Sequence, residues 1–290
     1  MMGHALRSGR RTAAVSVVRT LLVVSRPRFW IYLAGPFLVG FAAAAAGRES
    51  VTSAGFWLFL GYFLVPANLF LYGLNDLCDG DTDRFNSKKG TREHLTTVSD
   101  RRWLSPAVAV SVAVGLPLVV ATPSVPARVF LMLFLVLGAF YSLPPLRFKA
   151  RPVLDAASNV LYVMPAAVGY GAATDQWPSP VAFAGAACWT AAMHLISAIP
   201  DIEADRKAGL KTSAAVMGAR VSLVACGILW SAAAAVLWYL ISEPVGLIAL
   251  AYPAIAAALF GRPEMVERVY WLFPSLNAVM GFVLFVWAAA

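Results

Sequence analysis

Charged residues are scarce in this chain: 13% of its 290 positions, against about 25% in soluble domains. With 60% hydrophobic residues, that shortage excludes an ordinary water-soluble domain. Acids are fewer still, 15 against 23 Lys and Arg. The segments of roughly ten residues with alternating hydrophobicity that build a transmembrane β-barrel are missing. The three cysteines, Cys78, Cys188 and Cys226, fit no zinc spacing, and the soft thiol of Cys78 is a poor partner for a hard ion. The first 27 residues hold no acid, and their apolar run TLLVVS is too short for a signal-peptide core. Arg10 and Arg11 are therefore not read as an export signal.

What the chain has is long apolar runs. Nine lie at about 29–46, 54–74, 104–122, 127–143, 153–173, 180–199, 219–241, 244–260 and 269–288, each near the ~20 residues that cross a bilayer as a helix. The expectation is an all-α, polytopic membrane protein with nine transmembrane helices. Residues 28–290 form one domain, preceded by a basic amphipathic segment, 1–27, lying on an anionic leaflet. An organellar transit segment has a similar composition. With the N-terminus in the cytoplasm, 21 of the 23 Lys and Arg fall on the cytoplasmic side, leaving Arg48 and Arg128 outside. The positive-inside rule thus accounts for the net charge of +8, and no nucleic-acid partner is needed to explain it.

Seven of the 15 acids sit in two clusters, NDLCDGDTD from Asn75 and DIEAD from Asp201. Both follow even-numbered helices and so face the cytoplasm. Asn75, Asp79 and Asp83 are spaced i, i+4, i+8 along one helix face, with Asp76 beside it; Asp201 and Asp205 repeat the i, i+4 step. Asp81 and Glu203 point away. Asp79/Asp83 and Asp201/Asp205 share an offset of 122 residues, and an Arg follows each pair, a weak parallel internal repeat of helices 1–4 and 5–8. Two carboxylate faces at one membrane surface repel unless cations intervene. Carboxylate and amide oxygens suit Mg²⁺, which commonly keeps positions open for phosphate. Bases stand close by: Lys88, Lys89 and Arg92; Arg206, Lys207 and Lys211; and Arg147, Lys149 and Arg151 in the loop YSLPPLRFKARP. Acids for metal beside bases for phosphate point to a diphosphate.

Other readings account for less. An EF-hand loop would need Gly and Glu where this chain has Arg84 and Gly90. Solvated loop charge explains each cluster singly but not two at equivalent positions. A transporter ion site, the rival from another class, usually places its acids mid-helix, and these lie at helix ends. His194 and Ser197 precede Asp201 on one helix face, and Asn68 stands seven residues before Asn75. His194 and Asn68 are candidates for the acceptor side, although a lone polar residue in a helix is more often structural. Tyr141 closes helix 4 beside the basic loop, where an interfacial tyrosine also fits. Phe70, Tyr72, Tyr162 and Trp189 are candidates to line a cavity, and Pro66 to kink helix 2.

NDLCDGDTD resembles the NxxxDxxxD signature of the UbiA-type intramembrane prenyltransferases, and DIEAD their DxxxD signature; YSLPPLRFK is similar to their basic loop after helix 4. Within that family the strings NDLCDGDTDRFNSKKGTRE and HLISAIPDIEADRKAGLKTSA are most similar to the lycopene elongases of C50 carotenoid biosynthesis, which commonly have Pro where this chain has Ser87. The resemblance implies a bundle around a central cavity, capped by cytoplasmic loops and open sideways to lipid. It implies two Mg²⁺ ions held by Asn75, Asp79, Asp83, Asp201 and Asp205, with Asp76 adjoining. Tyr141, Arg147, Lys149, Lys88 and Lys207 would meet the diphosphate. Asp79, Asp83, Asp201 and Asp205 would carry catalysis. The donor implied is an allylic prenyl diphosphate, dimethylallyl diphosphate in this subfamily. The acceptor is a hydrophobic molecule, lycopene, with quinone-precursor rings, chlorophyll-type acids and glycerol-phosphate lipids as alternatives. Some relatives also work beside carotenoid cyclase subunits. A prokaryotic cytoplasmic membrane, with the site on its cytoplasmic side, is the expected location.

Overall fold

The computed structural model describes residues 17–44, 52–80, 94–241 and 244–289. Among the described residues every regular element is helical. The principal helices are α1 (Ile31–Ala43), α2 (Ala54–Leu64), α3 (Pro66–Cys78), α4 (Val98–Ala121), α5 (Val125–Ser142), α6 (Met164–Thr174), α7 (Pro180–Ala198), α8 (Ala219–Ile241), α9 (Ala251–Phe260) and α10 (Phe273–Ala289). Residues 17–24 are also helical; the rest of the expected amphipathic segment, 1–16, lies outside the described residues.

Hydroxyl side chains set several starts. Ser53, Ser124 and Ser179 accept hydrogen bonds from the backbone at the heads of α2, α5 and α7, and Thr97 with Asp100 forms a reciprocal capping box on α4. Each supplies a partner to an N–H that the helix itself leaves unpaired. Pro66, which lacks an N–H, separates α2 from α3, the interruption expected of it. Asn68 repairs that break: its Nδ2 donates to the carbonyls of Phe63 (2.8 Å) and Leu64 (3.1 Å).

Each of the nine apolar runs contains helix. Five described helices are long and apolar enough to cross a membrane: Ala54–Cys78, Val98–Ala121, Val125–Ser142, Pro180–Lys207 and Ala219–Ile241. A sixth results if Pro263–Tyr270 and Phe273–Ala289, bent by 61°, count as one span. The expected nine are therefore not all reproduced as full spans, because several runs are shortened or broken. Ile31–Ala43 has 13 residues. The fifth run divides into Leu154–Ala157, the 3-10 turn Ser158–Tyr162 and α6, with Pro165 in the first turn of α6.

Two apolar cores carry the bundle. One gathers Phe37, Phe63, Phe70 and Phe134 from α1 to α5 with Val168 of α6. The other gathers Ile196, Trp230, Tyr252 and Phe273 from α7 to α10. α10 packs on α1 and closes the bundle. Between the cores lies a cavity of about 790 Å³, reached by side chains of both.

The α1–α6 contact depends on missing side chains. A Cβ on Gly40 would lie 2.0 Å from the carbonyl oxygen of Ala166, and one on Gly169 would lie 2.5 Å from that of Phe37. Small residues let membrane helices approach this closely. Gly40→Val is expected to lower stability by at least the ~1–3 kcal/mol of ordinary overpacking, because the opposing atoms are backbone. Thermal unfolding in detergent checks this; an unchanged midpoint contradicts it.

Candidate active site

The first acidic motif sits where α3 ends. Asn75 is in its last turn and Asp79 closes it, with the Asp79 N–H bonded to the Asn75 carbonyl at 3.1 Å. One helical turn apart, both side chains face the cavity. The basic loop after α5 folds onto them. Lys149 Nζ donates to Asn75 Oδ1 (2.8 Å) and Asp79 Oδ2 (2.5 Å), and Arg147 donates to Asp79 Oδ1 at 3.1 Å. Ser142 Oγ, at 3.4 Å, also faces Asn75 Oδ1. Arg147 holds a left-handed backbone, φ 37°, stabilised by the turn Phe148–Ala150 behind it and by the bond from Arg151 to the Pro145 carbonyl at 2.8 Å. Burial pushes the Lys149 ammonium below its ordinary pKa, and the neighbouring Asp79 carboxylate opposes that shift.

The second motif follows α7. Asp201 ends the 3-10 turn Ile199–Asp201, and Asp205 lies in the short helix Ile202–Lys207. Thr212 ties this helix to the next: its Oγ1 donates to Asp205 Oδ2 at 2.8 Å and accepts from the Ala215 N–H at 3.2 Å. His194, Ser197, Asp201 and Asp205 all reach the cavity, as their shared helix face predicts. So do Tyr141, Tyr72, Tyr162 and Trp189. The Tyr72 and Tyr162 hydroxyls meet at 3.3 Å, and Tyr141 stands edge-on to the His194 ring.

Several expected residues are placed elsewhere. Asp76, 2% exposed, is not a cavity residue. It faces Arg26 at 3.4 Å and accepts from Thr96 at 3.2 Å, because its position in α3 is one step off the Asn75/Asp79 face. Asn68 is buried at the helix break rather than in the cavity wall. Phe70 belongs to the first core. Lys207 is exposed and absent from the cavity lining, being two helical positions past Asp205. Arg206 donates through Nε and a terminal nitrogen to the Ala215 carbonyl (3.0 and 2.8 Å). Glu203 is exposed, as its phase predicts. Asp83, Asp81, Lys88, Lys89 and Arg92 lie outside the described residues.

The sequence reading missed Arg26, Tyr32, Asn159, Thr212 and Asn277, which all line the cavity. It also missed Asp155, fully buried beneath it. Asp155 had a signal: an acid at the edge of an apolar run is costly and usually functional.

Among the described residues no three of His, Cys, Asp and Glu cluster as a ready metal site. The donor set nonetheless suits a hard cation. Asn75, Asp79, Asp201 and Asp205 present oxygens to one cavity, and two cationic side chains, Lys149 and Arg147, already stand against Asp79. Their nitrogens occupy positions of the kind a bound metal would fill. The remaining lining, including Leu38, Val39, Trp189, Met193, Phe282 and Phe285, is mostly apolar. The arrangement can bind a charged head at one end and a long hydrocarbon along the rest.

Residues 33–268 match the model of the UbiA prenyltransferase family. The chain is 44% identical over 268 residues to a lycopene elongase/hydratase of Halobacterium salinarum, covering 91% of this chain and 95% of that one. It is 31% identical over 280 residues to a lycopene elongase/hydratase of Corynebacterium glutamicum, covering 92% and 95%. Among solved structures, a UbiA homolog from Archaeoglobus fulgidus bound to DMAPP and Mg²⁺ superposes with a TM-score of 0.69 at 22% identity, covering 92% of this chain and 99% of that one. An apo UbiA homolog from Aeropyrum pernix gives 0.70 at 21% identity, covering 89% and 96%.

The Arg26–Asp76 contact ties the N-terminal segment to α3. Arg26→Ala is expected to cost about 1.5–3 kcal/mol, the range for a hydrogen bond to a charged group. Adding Asp76→Asn should recover part of that loss by removing the buried charge. Thermal unfolding of the parent protein and the two variants checks this; an Arg26→Ala midpoint equal to the parent's would show that the pair carries no stability.

Proposed function

The chain belongs to the UbiA prenyltransferase family, and on that premise we propose that it transfers the dimethylallyl group of dimethylallyl diphosphate to lycopene. It is an integral, multi-pass membrane prenyltransferase; the active site opens on the cytoplasmic side, where the basic loops gather. The observation that carries this reading is the polarity of one cavity: Asp79, Asp201, Asp205, Arg147 and Lys149 at one end, apolar and aromatic side chains along the rest. The names of the relatives supply the acceptor. The donor follows that of the Archaeoglobus fulgidus homolog.

Asn75, Asp79, Asp201 and Asp205, joined by Asp83, would hold two Mg²⁺ ions, which when bound supply positive charge to the diphosphate leaving group. Lys149 and Arg147 neutralise Asp79. With cations on Asp79, both bases can turn their N–H donors to diphosphate oxygens within the same cavity. That concentrates positive charge where negative charge develops as the allylic C–O bond breaks and the electron pair leaves with the diphosphate. Tyr141, at the same end, can donate its hydroxyl to that group. Tyr72, Tyr162 and Trp189 line the path beyond and can present ring faces to the allylic cation. Close packing of the two cores keeps bulk water from the cation, which water would quench. The lycopene end alkene then forms the new C–C bond, leaving a tertiary cation that loses a proton or gains water.

Expression in a lycopene-accumulating bacterium should yield pigments heavier by one and two five-carbon units, with or without added water. Asp79→Ala or Asp201→Ala should abolish them while the protein still enters the membrane. Lys149→Met should reduce turnover by about 10²–10³-fold, the scale for losing one preorganised donor to a developing anion. Mass spectrometry of extracted pigments checks all three, and full activity in either aspartate variant would remove the metal-site assignment.

A further inference from the structure

Asp155 has no part in the steps above, yet it is completely buried. Four groups address it. Ser213 gives its N–H to Oδ2 at 2.7 Å and its hydroxyl to Oδ1 at 2.5 Å. The Ala156 N–H donates to Oδ1 at 2.9 Å. His194 Nε2 stands 3.4 Å from Oδ2, an ion-pair distance that falls short of a well-aligned hydrogen bond. The surroundings hold the carboxylate in place. Ser213 Oγ also accepts from the Val153 N–H at 2.7 Å, and Asn159 Nδ2 donates to the Asp155 carbonyl at 2.6 Å. Val153 has φ 69°, an outlier for a β-branched residue and the kind of strain that collects at functional sites.

The His194 ring is shared between two environments. Its Nε2 is sealed from solvent and directed at Asp155, while the ring lines the cavity on the same helix face as Ser197 and Asp201. An Nε2–H facing a carboxylate fixes the tautomer, leaving Nδ1 as the proton acceptor. Among the described residues Nδ1 has no hydrogen-bond partner. The Tyr141 ring stands edge-on to it, with centroids 6.5 Å apart.

We infer that His194 is the base that ends the reaction and that Asp155 is its positioning residue; this rests on the prenyl-transfer reading above. After the C–C bond forms, the acceptor carries a tertiary cation. In one outcome the adjacent C–H electron pair becomes the new C=C bond and the proton goes to His194 Nδ1. In the other, a water oxygen donates its pair to the cation and its proton goes to the same nitrogen, leaving a tertiary alcohol. Either way the imidazolium is held by the Asp155 carboxylate, and the proton then leaves with the basic diphosphate product. A base at a fixed place selects which proton departs. One site can thus give an alkene or an alcohol, with the balance set by whether water reaches His194.

The test uses membranes carrying the whole protein, supplied with lycopene, dimethylallyl diphosphate and Mg²⁺. Released diphosphate and elongated carotenoid are measured separately, along with the alkene-to-alcohol ratio. For His194→Phe the expected result is continued diphosphate release with at least about a hundredfold fall in elongated carotenoid per diphosphate, the low end of losing a general base. His194→Gln and Asp155→Asn, which keep polar groups in place, should both shift the alkene-to-alcohol ratio. A merely structural histidine would lower the two readouts together and leave that ratio alone. Unchanged coupling and ratio in all three variants would overturn the inference. Wild-type membranes that release diphosphate without elongating lycopene would overturn the acceptor reading, and the inference with it.

Discussion

The structure depends on how negative charge is tolerated at the edge of an apolar bundle. Asp79, Asp76 and Asp155 are all buried, and an isolated buried carboxylate is too costly to persist ionised. Each is met differently. Asp79 has Lys149 and Arg147. Asp76 has Arg26 and Thr96. Asp155 has two donors from Ser213 and an imidazole at ion-pair distance. In the first of these arrangements the carboxylate and both of its cations lie in the cavity lining. In the other two the carboxylate lies outside that lining and only its partner, Arg26 or His194, reaches the cavity: one fixes the N-terminal segment to α3, and the other joins the start of the fifth run to the loop after the second motif.

That division explains why the chemistry occurs where it does. The polar end of the cavity is built from helix termini and a short loop. The remaining walls are helices packed through aromatic side chains, among them Trp230 stacked on Phe273, with Tyr252 beside both. A close-packed apolar wall is suited to shielding a cation from water, and the charged end is suited to a diphosphate. The α1–α6 contact at Gly40 and Gly169 keeps one wall close without filling the space a long acceptor needs.

Local periodicity made much of this legible in the sequence. The helical character and the apolar runs follow from composition, and the i, i+4 spacing of Asn75 with Asp79 and of Asp201 with Asp205 placed four side chains in one cavity. Reading failed where partners are distant in sequence. Adjacency to the motif puts Asp76 with the metal site, but its partner in the fold is Arg26, 50 positions earlier. Asp155 went unnoticed because Ser213 is 58 residues away. Adjacency to the second motif puts Lys207 with the diphosphate, whereas its helical phase turns it outward. The count of full spans exceeded the structure because hydropathy does not register where Pro165 or a 3-10 turn breaks a run.

The central claim is that one mouth binds donor and metal together, each completing the other's charge. Thermal unfolding of the purified protein tests it most directly, with an allylic thiodiphosphate that does not ionise and with Mg²⁺, separately and combined. The account predicts a stabilisation by the pair that exceeds the sum of the two alone, lost in Asp79→Ala. Equal stabilisation by the thiodiphosphate in the presence of EDTA would contradict it.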